Sequence, residues 1–83
     1  MCLGVPMRLL EVDADGTMAL AETLGVRRRI SVILLTEPPK AGDWVMVHVG
    51  YALEHLEYEE AQEILALLDA VSKEVELRAM SGG

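Results

Sequence analysis

Hydrophobic and polar positions change period once along the chain. Met7 to Val12 is apolar and β-compatible, and Asp13-Ala14-Asp15-Gly16 then supplies acidic turn formers closed by a glycine, which predicts a hairpin. Thr17 to Leu24 alternates, with Met18, Leu20, Glu22 and Leu24 on one side and Ala19, Ala21 and Thr23 on the other, and Gly25 ends it. Its alanines make it a weak strand former. Val26 to Leu35 is a third strand that sets Val26, Arg28, Ile30 and Val32 against Arg27, Arg29 and Ser31. Pro38, Pro39 and Gly42 make Thr36 to Asp43 a loop, because proline offers no backbone donor and glycine favours turns. Trp44 to Val49 alternates cleanly, Val45, Val47 and Val49 against Trp44, Met46 and His48, and Tyr51 to Leu56 is a short fifth strand after Gly50.

From about Glu57 the period becomes helical: Ala61, Ile64, Leu65, Leu68, Val71 and Val75 share a face, and Glu59 and Glu60 favour the N-terminal end of the dipole. The fold class expected is mainly β, a small OB-like antiparallel barrel over about 1–56 with a C-terminal helix over about 57–79, forming one domain over 1–83. An 83-residue chain has room for one core, and the absence of Phe makes it aliphatic.

Charge narrows the partners. Residues 1–35 carry four basic and four acidic groups and residues 36–83 three and ten, which gives the net charge of −7. A nucleic-acid partner is disfavoured, because phosphates require clustered cations and bases require aromatic faces, and only Trp44, Tyr51 and Tyr58 supply the latter. One cysteine excludes an internal disulfide and a thiolate zinc cluster and fits a reducing, cytoplasmic setting. No stretch reaches the roughly 18 apolar residues of a membrane span. GxGxxG, GxxxxGK[ST], GxSxG, HExxH and CxxC patterns are missing, which removes support for nucleotide binding and common hydrolase chemistry.

Cys2 is the one side chain with both soft-ligand and nucleophilic capacity. Most lone cysteines are small buried hydrophobes, but a cysteine beside the chain start is free to reach a partner. With Met1 removed, its thiol would lie beside a protonated amine, which favours the metal-binding thiolate. Leu3, Gly4 and Val5 could anchor this segment and Pro6 stiffen it, although Pro6 also suits the start of an edge strand. His48 is either a hydrogen-bonded, half-buried strand residue or a ligand; His55 is expected at the surface. A cysteine and two histidines make only a sparse set for iron or zinc, as in a transient carrier. Arg27-Arg28-Arg29 reads first as a solvated edge that resists aggregation and second as an anion site.

Met1-Cys2-Leu3-Gly4-Val5-Pro6 resembles the N-terminal signature of the HypC/HupF hydrogenase maturation chaperones. Gly42-Asp43-Trp44-Val45-Met46-Val47-His48-Val49-Gly50-Tyr51-Ala52-Leu53 resembles that family's Gly-Asp turn, valine-rich strand and His-x-Gly-aromatic run, and Gly25-Val26-Arg27-Arg28 resembles its middle segment. The similarity extends over about Met1 to Ala61. It implies a protein that is not an enzyme and has no permanently bound cofactor. Its implied partners are a HypD-like iron-sulfur maturation protein and the large-subunit precursor of a nickel-iron hydrogenase, and its transient cargo is an Fe(CN)2CO unit. By the same resemblance Cys2 binds the iron or a partner cysteine, and His48 assists. Two other readings fit the bare residues: an OB-type nucleic-acid module, which the acidity opposes, and a thiol-dependent enzyme with Cys2 as nucleophile and His48 as base.

Overall fold

The structure, a computed structural model, describes residues 4–81, and side chains through residue 69. Five strands, β1 (Val5–Val12), β2 (Met18–Thr23), β3 (Val26–Ser31), β4 (Trp44–His48) and β5 (Tyr51–Leu56), precede one helix, α1 (Tyr58–Ser81). The strands close a barrel in the order β1-β2-β3-β5-β4. This is the OB-like barrel with a C-terminal helix that the alternation predicts, with one departure: β3 meets β5 in parallel, at Ser31↔Tyr51. The other four neighbouring pairs are antiparallel.

Local chemistry accounts for the elements. Asp15 accepts from the Thr17 backbone N–H at 3.0 Å and from its hydroxyl at 2.9 Å, which closes the β1–β2 turn where sequence places it. These bonds, the backbone one first, hold the Asp15 carboxyl below the usual aspartate range. The other hairpins turn in two residues, Leu24-Gly25 and Val49-Gly50, all at positive φ (47°, 80°, 51° and 82°). Such loops match the twist of the flanking strands. α1 begins with the Glu57 carbonyl accepting from the Ala61 N–H at 3.0 Å, and Glu59 and Glu60 lie in its first turn.

The core is Met7, Leu9, Ala19, Ala21, Ile30, Val32, Val45, Val47 and Ala52. Ala19 and Ala21, the weak point of the second strand in sequence, are its buried face, both fully enclosed. Opposite strands of a narrow barrel leave little interior room, so small side chains fit against Leu9 and Ile30. β3 is shorter than the alternation predicts: pairing stops at Ser31, and Val32 to Leu35 enter the loop, where Val32 is still buried and Leu35 packs on the core. β1 starts earlier than Met7 and takes in Pro6, which is buried and pairs with Met46. In α1, Ala61 is fully buried against the barrel, whereas Leu67 is exposed. Val71 and Val75, expected on the same face, lie outside the described side chains.

Candidate functional site

Cys2 lies outside the described residues. What the structure does fix is the place to which its segment is tied. β1 pairs with β4 as Val5↔Val47 and Pro6↔Met46, so continuing that register sets Gly4 opposite His48. The approach is close: a Cβ on Gly4 would overlap the Val47 carbonyl oxygen and stand 3.3 Å from the His48 Cβ. Glycine is needed here for room between backbones, not for an unusual φ. Cys2 stands two positions before Gly4, with Leu3 between, and chain geometry limits that span to about 7 Å.

His48 closes β4 and is exposed. Alternation explains this, since Val45 and Val47 take the inward positions and leave Trp44, Met46 and His48 facing out. Its ring has no hydrogen-bond or ion-pair partner among the described residues. His48 is therefore not the half-buried, hydrogen-bonded residue that one of its two sequence readings expects. His55 is the half-buried, hydrogen-bonded one: its Nε2 lies 3.1 Å from Asp43 Oδ2, and its side chain is 24% exposed. Asp43 Oδ2 also accepts the Lys40 backbone N–H at 2.9 Å. The expectation of a surface His55 fails because the Val45↔His55 pairing sets it beside the loop that ends at Asp43, a contact between residues twelve apart.

After His48 the chain reverses through Val49, a β-branched residue at φ 51° and 80% exposed. Left-handed backbone strains a valine, and here no packing compensates it. Beside this turn the barrel is only partly closed. β3 joins β5 at Ser31↔Tyr51, where the Ser31 N–H donates to the Gly50 carbonyl at 2.9 Å, and the earlier part of β3 has no described partner on that side. The gap is an open cleft of about 450 Å³ lined by Val5, Met7, Ile30, Val47, Val49, Gly50, Arg28 and Arg29.

The arginine run is divided by this arrangement. Arg27 pairs with Glu22 at 3.4 Å and Arg29 with Asp13 at 2.6 Å, both at the surface, as an edge reading expects. Arg28, on the face of β3 that carries buried Ile30, borders the cleft and makes no ion pair among the described residues. The shared face of Arg28, Ile30 and Val32 was visible in the alternation, but the gap beside it was not. Gly4 was visible only as a small residue between apolar ones. Among the described residues, no three His, Cys, Asp or Glu side chains gather as a metal site, so the described part of the site offers at most a fraction of a ligand set.

Fold and site together define a small OB-like barrel protein in which Gly4 abuts the end of β4 at Val47 and His48, and Val47 also lines the open cleft. The HupF/HypC family model matches residues 1–68. The hydrogenase maturation factor HypC of Helicobacter hepaticus is 41% identical over 71 residues, covering 86% of this chain and 81% of its own. HypC of Cupriavidus necator is 43% identical over 67 residues, covering 81% and 72%. The hydrogenase maturation factor HybG of Escherichia coli K12 is 39% identical over 75 residues, covering 86% and 88%. The chain belongs to the HupF/HypC family.

Proposed function

We propose that this protein is a non-enzymatic chaperone of nickel-iron hydrogenase maturation, working in the cytoplasm. It binds a HypD-like iron-sulfur protein and the hydrogenase large-subunit precursor, and it helps carry an Fe(CN)2CO unit between them through Cys2, with His48 assisting. The observation that supports this best is the seating of Gly4 against Val47 and His48, two positions after the only thiol of the chain and beside an exposed imidazole that has no partner among the described residues. Relatives named hydrogenase maturation factors at about 40% identity over most of the chain support the same reading.

The chemistry fits a carrier. Iron with strong-field cyanide and carbonyl ligands takes a soft thiolate well, and one thiolate with one imidazole holds it without the closed cage that would prevent release. Remaining positions on the iron are left to its diatomic ligands and to the partner. Among the described residues no helix is long and apolar enough to cross a membrane.

The test is anaerobic co-purification of tagged wild type, Cys2→Ala and His48→Ala from cells making a nickel-iron hydrogenase, with infrared detection of iron-bound cyanide and carbon monoxide. Wild type brings down the iron-sulfur partner or the precursor and shows the bands. Cys2→Ala loses both, and His48→Ala keeps the partners with weakened bands. Wild type without partners or bands rejects the reading; partners without bands leaves a docking protein that carries no iron.

A further inference from the structure

The charge pattern around the cleft has a purpose if the cargo is anionic. The chain carries a net charge of −7, so a negatively charged group nearing it meets an unfavourable field unless a local cation offsets it. Arg27 and Arg29 are neutralised by Glu22 and Asp13. Arg28 makes no ion pair among the described residues, and it borders a cleft lined also by Val5, Met7, Ile30, Val47, Val49, Gly50 and the Asp13-paired Arg29, which leaves Arg28 as the cation there with no carboxylate of its own. Arg28 is exposed at this cleft, so its planar fork of N–H donors is open to an incoming acceptor. Val47 joins the two regions: its side chain lines the cleft and its carbonyl receives Gly4.

We propose that Arg28 is the anion seat of this cleft and that its ligand is a cyanide group of the iron cargo, the guanidinium N–H donating to the cyanide nitrogen. The proposal rests on the chaperone reading above. Metal-bound cyanide keeps its carbon on the iron and turns an electron-rich nitrogen outward, a hydrogen-bond acceptor that carbon monoxide does not match. Arg28 would therefore orient the unit with cyanide toward the cleft and would favour a cyanide-bearing iron over bare iron. Its planar fork of donors suits this better than a lysine, which acts as a point charge.

The experiment repeats the anaerobic co-purification with Arg28→Gln, Arg28→Lys and, as a control that removes the same charge away from the cleft, Arg27→Gln. Expected for Arg28→Gln is retention of the iron-sulfur partner with cyanide bands reduced about tenfold, the scale of one lost charge-assisted hydrogen bond. Arg28→Lys should recover part of the intensity at shifted cyanide frequencies, with the carbonyl frequency moved less, and Arg27→Gln should match wild type. If Arg28→Gln does not fold, Arg28→Lys decides by the same frequency shift, and unshifted cyanide bands overturn the proposal. Unchanged bands in Arg28→Gln overturn it, as does an equal loss in Arg27→Gln. Loss of the partner together with the bands in Arg28→Gln also overturns it, because the cation then serves a partner carboxylate. Wild type with neither partners nor bands rejects the chaperone reading itself, a separate failure, and wild type with partners but no bands overturns the cyanide proposal while leaving a docking protein.

Discussion

Gly4 shows how much a missing side chain can decide. Its Cα lies so near the Val47 carbonyl that any Cβ forces β1 and β4 apart at the point where the N-terminal segment meets His48. Gly4→Ala should destabilise the barrel by about 1–3 kcal/mol, as overpacking does, and in hydrogenase-making cells should weaken the cyanide bands beyond what that stability loss explains. Thermal unfolding and infrared spectra of the same sample check this; unchanged melting would show that the neighbouring backbone yields freely. Asp15 gives a second expectation at this scale. Its carboxyl is held below the ordinary range by the Thr17 N–H and hydroxyl. A depressed carboxylate stabilises the turn above the unfolded value, and that contribution disappears as pH falls through the lower folded value. A carboxyl NMR titration should place Asp15 below free aspartate, and Thr17→Ala should raise it.

At the scale of elements, the hairpin turns matter most. Val49 occupies the first central position of a two-residue loop with positive φ at both residues, where Asn, Asp or Gly is favoured. Since Val49 is 80% exposed, replacing it loses little packing. Val49→Asn should stabilise the protein by about 1 kcal/mol by relieving left-handed strain, raising the melting temperature by about 5 °C for a chain of this size. A lower melting temperature would mean that Val49 makes contacts the exposed turn does not show. Strain kept at an exposed valine next to His48 fits a surface selected for contact, so the same variant should be tested for partner capture. Strand alternation was legible throughout: Val45 and Val47 inward and His48 outward follow from period two alone. The end of β3 was not, because Val32 and Ile33 continue the β-branched pattern, and the strand stops at Ser31 although the Val32 N–H still donates to the Thr17 carbonyl at 2.9 Å.

For the molecule as a whole, stability rests on a small aliphatic core with no spare volume. Ile30, 2% exposed, sits between the cleft and the alanines of β2, with Ala19↔Ile30 paired across the sheet. Ile30→Ala should cost about 2–5 kcal/mol, measured by denaturant unfolding, and should also widen the cleft next to Arg28. A loss well under this range would indicate collapse of β3 into the cavity. The sequence by itself determined the strand count, the change to helical period near Glu57, the OB-like class, the acidity and the residues capable of soft-metal chemistry, because these depend on side-chain type and spacing along one chain. It was also enough for the family resemblance that the comparisons bear out. Only the tertiary structure decided that β3 closes on β5 through one parallel pair, that His55 rather than His48 takes Asp43, that Arg28 borders the cleft with no ion pair among the described residues while Arg29 beside it is tied to Asp13, and that Gly4 lies on the β4 backbone. Each of these is a contact between residues far apart in sequence, set by how the strands tilt and close, and periodicity along a strand carries no record of which strand lies across the gap.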